Sequence, residues 1–355
     1  MGSSMSWEDG VRKVVPYTAG EQPKDKKIIK LNTNECPYPP APGVKDAIES
    51  FSYDTLRLYP DMDVTDLRDS LASYYHLKPE QVFVGVGSDD VLAMSFLTFF
   101  NQKDKPILFP DITYSFYDVW AELYRIPYKM IPLDEKFEIV KEDYFQENGG
   151  IVIANPNAPT GVFMEVSAIE EIIKANPDVV VIVDEAYVDF GGESCLPLLE
   201  QYENLLIVQT FSKSRAMAGM RIGFAMGNTK LISYLQDVKF AYNSYTMNRT
   251  SIAAGVAAVE DKAYFKATTD KIIATRERVK KELASLGFSF TDTKSNFIFA
   301  THESVPAEEL FLAMKEAKIF VRHWNKPRIS NYLRITVGTD DEMDSMLSFL
   351  KEYLA

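Results

Sequence analysis

From residue 81 to residue 227, apolar runs too continuous for a half-exposed strand alternate with stretches whose apolar positions recur at helical spacing. QVFVGVG (81–87), PILF (106–109), GGIVIANP (149–156), the start of DVVVIVDEAYVDF (178–190), NLLIVQTF (204–211) and GFAMG (223–227) are the runs. SDDVLAMSFLTFF (88–100), YSFYDVWAELY (114–124) and EVSAIEEIIKA (165–175) lie between them. A strand apolar at nearly every position is buried on both faces. Amphipathic helices between such strands imply a mainly parallel sheet covered on both sides. The pattern predicts an α/β architecture.

After about residue 245 the pattern changes. Residues 249–285 are rich in Ala, Lys, Glu and Arg and read as long helix. FSFTD, NFIFATH, AEELFLAMKEAK, IFVRHW, YLRITVG and the closing TDDEMDSMLSFLKEYL then mix strands and helices, which predicts a smaller α+β domain. A chain of 355 residues suits such a division. The expected large domain is 30–248, with 1–29 and 249–355 forming the small one. The opening MGSSM reads as a cloning remnant.

Charge and cysteine usage exclude several function classes. The net charge is -13, from 51 acidic against 38 basic residues, a surface that repels nucleic acid and anionic membrane. Two cysteines, Cys36 and Cys195, make neither a disulfide framework nor a structural zinc site, and a cytoplasmic location is expected. His76, His302 and His323 show no ligand spacing, so no metal is expected. The longest apolar run, VLAMSFLTFF, is far short of the ~20 residues a membrane helix needs.

The residues with chemical potential sit where these strands end. Asp184 closes the VVVIV run and starts DEAY; a carboxylate there is poorly solvated and needs a cationic partner, and Tyr187 lies three residues on. In open parallel sheets ligands bind at this carboxyl edge. Gly87, Ser88 and Asp89 form the turn between a strand and a helix, where free backbone N–H groups favour a phosphate. Neither a GxGxxG nor a GxxxxGK[ST] motif is present. Tyr114 follows PILF and offers a stacking face. Asn157 lies in the rigid turn NPNAPTG (155–161). In QTFSKSRAMAGMRIGF (209–224), Ser212, Ser214 and Arg221 are the kind of donors that hold a phosphate beside Lys213, a lysine able to form a Schiff base when desolvated. Each group alone is also what an ordinary turn contains. Together they supply an amine for an aldehyde, a carboxylate for a pyridinium nitrogen, a flat face and an anion cradle, which is a description of a pyridoxal 5'-phosphate site.

These motifs resemble those of the fold-type-I aminotransferases. The resemblance runs through VVPYTAGEQP, IKLNTNECPYPP, RLYPD, GVGSDD, TYSFY, NPNAPTG, DEAYVDF, SKxxxMAGMRIGF, FVRHWNKP and YLRITVG, so it covers nearly the whole chain. Within that group it is nearest to the histidinol-phosphate aminotransferase family. It implies a mainly parallel seven-stranded sheet flanked by helices, plus the smaller α+β domain. It implies that Lys213 bonds the cofactor and moves the proton, Asp184 keeps the ring nitrogen protonated, Tyr187 tunes the ring oxygen and Tyr114 stacks on the ring. Gly87, Ser88, Asp89, Thr210, Ser212 and Arg221 would surround the phosphate. Tyr59, in RLYP, would reach the neighbouring subunit's phosphate, which implies a homodimer with shared active sites.

The resemblance also places substrate residues. Arg334 corresponds to the arginine that binds the acid group of amino-acid substrates, Arg322 adds a second cation, and Tyr17, Asn34 and Tyr242 match pocket positions. The implied reaction converts histidinol phosphate and 2-oxoglutarate to imidazole-acetol phosphate and glutamate in histidine biosynthesis. Two positions depart from the family pattern. Ala158 stands where an Asn usually precedes PTG, which leaves Asn157 as the candidate for that bond, and Ser214 replaces a small apolar residue. An aromatic-amino-acid aminotransferase and a phosphothreonine decarboxylase are rivals on the same scaffold. A non-catalytic cofactor-sensing module is the rival of a different class; the net charge and the absence of a basic segment before residue 30 argue against it.

Overall fold

The structure, a computed structural model, describes residues 6–18, 20–23, 27–102 and 104–355. The opening MGSSM lies outside the described residues. Among the described residues there are thirteen strands: β1 (Ile29–Lys30), β2 (Val82–Gly85), β3 (Ile107–Pro110), β4 (Tyr128–Ile131), β5 (Gly150–Ala154), β6 (Val181–Asp184), β7 (Leu205–Thr210), β8 (Gly223–Gly227), β9 (Phe288–Phe290), β10 (Phe297–His302), β11 (Ile319–Phe320), β12 (Arg322–His323) and β13 (Leu333–Thr336). Ten α-helices accompany them: α1 (Pro42–Glu49), α2 (Thr65–Tyr75), α3 (Ser88–Phe99), α4 (Tyr117–Tyr124), α5 (Val166–Ala175), α6 (Thr229–Tyr242), α7 (Arg249–Glu260), α8 (Lys262–Ser285), α9 (Ala307–Glu316) and α10 (Asp340–Tyr353).

Seven strands form the large sheet in the order β2-β8-β7-β6-β5-β3-β4. The expected α/β sheet is therefore present. Its pairs from β7 to β4 are parallel, and β8 runs antiparallel to both β2 and β7. Every residue of β2, β3, β5, β6, β7 and β8 is buried, which is why these strands read as unbroken apolar runs. One face packs α1, α2, α5 and α7 through Val44, Leu67, Ile169 and Ala254; the other packs α3, α4 and α6 through Leu92, Trp120 and Leu235.

A second sheet, β12-β13-β10-β9, is antiparallel and carries α8, α9 and α10 on a core of Val279, Leu310, Ile335 and Leu347. β1 pairs with β11, so the chain start joins this unit. The single long helix read over 249–285 is two helices. Asp261 ends α7 and caps α8, its carboxylate accepting from the Tyr264 N–H at 3.0 Å. α7 packs with the large sheet's core and the later part of α8 with the small one.

Candidate active site

The loops after β2, β3, β5, β6 and β7 converge at one edge of the large sheet, and the small sheet closes over them. Two cavities meet there. The inner one, of about 180 Å³, is lined by Ser88, Asp89, Tyr114, Asp184, Tyr187, Thr210, Ser212, Lys213 and Arg221 among others. The outer one, of about 440 Å³, is lined by Tyr17, Asn34, Trp324, Arg322 and Arg334 among others. Lys213, Tyr114, Tyr187, Thr33 and Ala158 face both, so the lysine sits at their junction.

The anion cradle is built by backbone geometry. Gly87 has φ +88°, and a Cβ there would lie 2.5 Å from the Arg221 guanidinium. Gly223 sits so close behind the turn that a Cβ would lie 2.2 Å from the Ser88 nitrogen. These glycines let the start of α3 press against β8, and Ser88 and Asp89, in the helix turn whose N–H groups lack intrahelical partners, line the inner cavity. Arg221, in left-handed conformation (φ 53°), approaches Asp89 at 3.8 Å. Thr210 accepts from the Ser212 N–H at 3.1 Å, which fixes the turn that carries Lys213.

Asp184 is buried at the end of β6. It accepts from the Tyr117 hydroxyl at 2.8 Å and the Ala186 N–H at 3.2 Å. Burial pushes its carboxyl up to about 6 despite those donors and the nearby Lys213. Such a group is stabilised by a cation placed against it. Tyr187 accepts from Asn34 Nδ2 at 2.8 Å. Tyr114 donates to Asp89 at 2.7 Å, and burial with that carboxylate holds its phenol well above the usual range. Lys213 Nζ donates to the Thr33 carbonyl at 3.2 Å.

Arg334 is the strongest feature of the outer cavity. Desolvation lowers its pKa, and the neighbouring Arg322 lowers it further. Its guanidinium donates to the Asn32 carbonyl at 3.0 Å, while its buried Nε has no hydrogen-bond partner. A buried, partnerless guanidinium N–H is costly unless a ligand acceptor meets it. Arg322 lies directly across the strand pair from Arg334.

Four expected residues do not line these cavities: Gly87, which shapes the turn behind Arg221, and Asn157, Tyr59 and Tyr242. The Asn157 amide is spent on the loop: it donates to the Ile112 carbonyl and to Thr160, both at 2.9 Å, and accepts from Thr113 at 2.8 Å. Tyr59 is 75% exposed and stacks on Tyr245, with centroids 4.5 Å apart, and Tyr242 is 74% exposed at the end of α6. Ser214 donates to the half-buried Asp189 at 2.5 Å, which gives the departure from a small apolar residue a structural use. Tyr117, Thr33 and Trp324 were not anticipated. Tyr117 lies within an apolar helical periodicity, which cannot reveal where its hydroxyl points.

The residues present fit pyridoxal phosphate. The N–H cradle suits a phosphate, the buried Asp184 a pyridinium nitrogen, the Tyr114 face a flat ring and the Lys213 amine an aldehyde. The family described as aminotransferase class I and II matches residues 26–350. The chain belongs to that family. This aminotransferase is 56% identical over 350 residues to a histidinol-phosphate aminotransferase of Lactococcus lactis subsp. cremoris strain MG1363, covering 99% of this chain and 98% of the relative. It is 52% identical to one of Acinetobacter baylyi, covering 98% and 97%. The fold matches the histidinol-phosphate aminotransferase of Clostridium acetobutylicum (TM-score 0.83, 23% identity, 91% of this chain and 98% of that one). It also matches that of Sinorhizobium meliloti in complex with pyridoxal-5'-phosphate (TM-score 0.82, 24% identity, 91% and 90%). The aminotransferase thus has the expected fold-type-I architecture. No described helix is long and apolar enough to cross a membrane.

Proposed function

We propose that this aminotransferase moves the amino group of L-histidinol phosphate to 2-oxoglutarate, giving imidazole-acetol phosphate and L-glutamate in histidine biosynthesis, with pyridoxal 5'-phosphate as cofactor. The observation that carries the reading is Arg334, with its buried, unpartnered Nε, beside the cross-strand Arg322 in the cavity that Lys213 also lines. Relatives 52–56% identical over nearly the whole chain bear the corresponding name. One substrate carries a phosphate and the other two carboxylates, and paired guanidiniums serve both through charge-assisted hydrogen bonds.

The cofactor, when bound, supplies an aldehyde to take the amino group and a ring to spread the charge left on the substrate carbon. Lys213 Nζ would take the proton from the substrate carbon bearing the amine and return it on the far side of the amine nitrogen. The Asp184 carboxylate, held by Tyr117, keeps the ring nitrogen protonated, an interaction worth most when charge develops. Tyr187, oriented by Asn34, donates to the ring oxygen, and Tyr114 covers one ring face. The Ser88 and Asp89 N–H groups at the Gly87 turn, with Thr210, Ser212 and Arg221, hold the phosphate. Asn157 supports this floor from outside through the Ile112–Thr113 loop.

We further infer a homodimer in the cytoplasm. Tyr59 and Tyr242 lie with Tyr53, Leu56 and Leu58 among the exposed large apolar residues, and in this reading they enter the partner's site. For the two-unit division we infer a second boundary at the α7–α8 junction rather than at 248, because α7 packs in the large unit's core.

The test is the visible absorbance of the purified holoenzyme, titrated with L-histidinol phosphate in the absence of any keto acid. A parallel titration uses phenylalanine. Conversion at far lower histidinol phosphate concentration supports the reading, and equal conversion by phenylalanine reassigns the enzyme to aromatic amino acids. Arg322→Ala should raise the histidinol phosphate requirement selectively; no change would remove Arg322 from the substrate site.

A further inference from the structure

The paired arginines raise a physical problem that the cavity itself answers. Arg322 and Arg334 are register partners on β12 and β13, so two guanidiniums stand side by side. Like charges at that spacing repel, and Arg322 indeed lowers the pKa of Arg334 beyond the effect of burial. What both guanidiniums share is the indole of Trp324: the Arg322 Cζ lies 5.2 Å from the ring centroid and the Arg334 Cζ 5.1 Å. An aromatic face attracts each cation through its quadrupole without neutralising either.

The indole is also held in place. It packs on the apolar cluster of Ile112, Leu133, Phe299 and Ile329. Four residues on, Arg328 reaches across to the large unit, donating to the Leu133 carbonyl at 2.9 Å and to the Asp134 carbonyl. The ring is therefore fixed to both sides of the cavity before any ligand arrives.

We propose that Trp324 is a specificity-determining residue: its π face keeps Arg322 turned inward beside Arg334, so that the cavity holds two cations ready for a phosphate ester. Without an aromatic face, Arg322 relaxes away from Arg334, toward the Thr18 carbonyl that it already approaches at 3.4 Å. A phosphate-bearing amine then loses binding that the same amine without phosphate never had. The inference rests on the substrate reading above and deepens it.

The experiment compares wild type, Trp324→Phe and Trp324→Leu as holoenzymes. L-Histidinol phosphate and L-histidinol, which differ only in the phosphate, are each used in the half-reaction. Inorganic phosphate binding is measured separately by calorimetry. Trp324→Leu should lower discrimination between the two amines about tenfold, through KM rather than kcat, and weaken inorganic phosphate about as much. Trp324→Phe, which keeps a π face, should retain most of both. Equal values for the Leu and Phe variants, whether both unchanged or both reduced, would overturn the proposal. Failure of wild type to use histidinol phosphate would instead refute the substrate reading, and the inorganic phosphate comparison would still decide the role of Trp324.

Discussion

Replacing Glu185 by Gln should flatten the pH dependence of stability, and the size of the effect follows from its surroundings. Glu185 follows Asp184, so strand alternation sends it to the other side of the sheet from the active site. It is 2% exposed. Its carboxylate accepts from the Cys195 N–H and the Ser194 hydroxyl, both at 2.6 Å, and from Gln209 Nε2 at 2.8 Å. Tyr75 in turn donates to Gln209 at 2.7 Å. Burial still wins: the carboxyl is pushed from 4.5 to about 7, with Asp189 adding repulsion.

A carboxyl whose pKa is raised on folding leaves stability intact below its unfolded pKa and removes it as pH rises through the folded value. The wild type should therefore lose stability between pH 4.5 and about 7. At about 1.4 kcal/mol per pKa unit, the full cost is roughly 3 kcal/mol, of which about 2 falls between about pH 5.5 and 8. Gln keeps the shape but loses one acceptor, a pH-independent penalty of about 1 kcal/mol. The assay is urea unfolding at fixed protein concentration across that range, reading the difference in pH slope between the two proteins. Parallel slopes would mean that the three donors already cancel the cost of burial, and the argument from desolvation would fail.

Two further outcomes follow from the site. Gly223→Ala places a Cβ 2.2 Å from the Ser88 nitrogen and 2.3 Å from the Gly87 carbonyl carbon, so cofactor affinity should fall at least about tenfold and stability by about 2 kcal/mol; Gly219→Ala, with nothing within 4 Å, is the neutral control, and a cofactor titration with thermal melting reads both. Arg334→Lys keeps the charge but not the planar fork, so kcat/KM for the amino donor should drop about a hundredfold, measured by steady-state kinetics; a loss below about threefold would remove the bidentate contact from the reading.

Burial on both faces made the central strands legible. β4 escaped because Lys129 and Met130 are exposed at the sheet edge, leaving no apolar run. The reversed direction of β8 was concealed for another reason: the link from Thr210 to Gly223 has no crossover helix, and only that length carries the signal. Asp261 was a readable cap inside a segment whose composition is uniformly helical. At the site, Lys213 and Asp184 stood out because a charge ending a buried strand is chemically expensive. Asn157 and Tyr117 show the limit of that reasoning. Both are polar groups beside the cavity edge, yet only packing decides that one amide is consumed by Ile112, Thr113 and Thr160 while one phenol is aimed at Asp184.

β13 connects Arg334 to Tyr187. Arg334 and Thr336 are two residues apart on that strand and so project to the same face. Thr336 accepts from the Asn34 N–H at 3.0 Å and donates to Asn34 Oδ1 at 3.1 Å. Asn34, held in a left-handed conformation (φ 58°), passes its own amide to Tyr187. The guanidinium proposed to meet the substrate's acid group and the asparagine that bonds Tyr187 are thus tied to one strand, with Asn34 alone between β13 and the phenol. A shift of β13 that misplaced Arg334 would also disturb the Tyr187 hydroxyl, so in the proposed reading the placement of the guanidinium and the orientation of the phenol cannot be tuned independently.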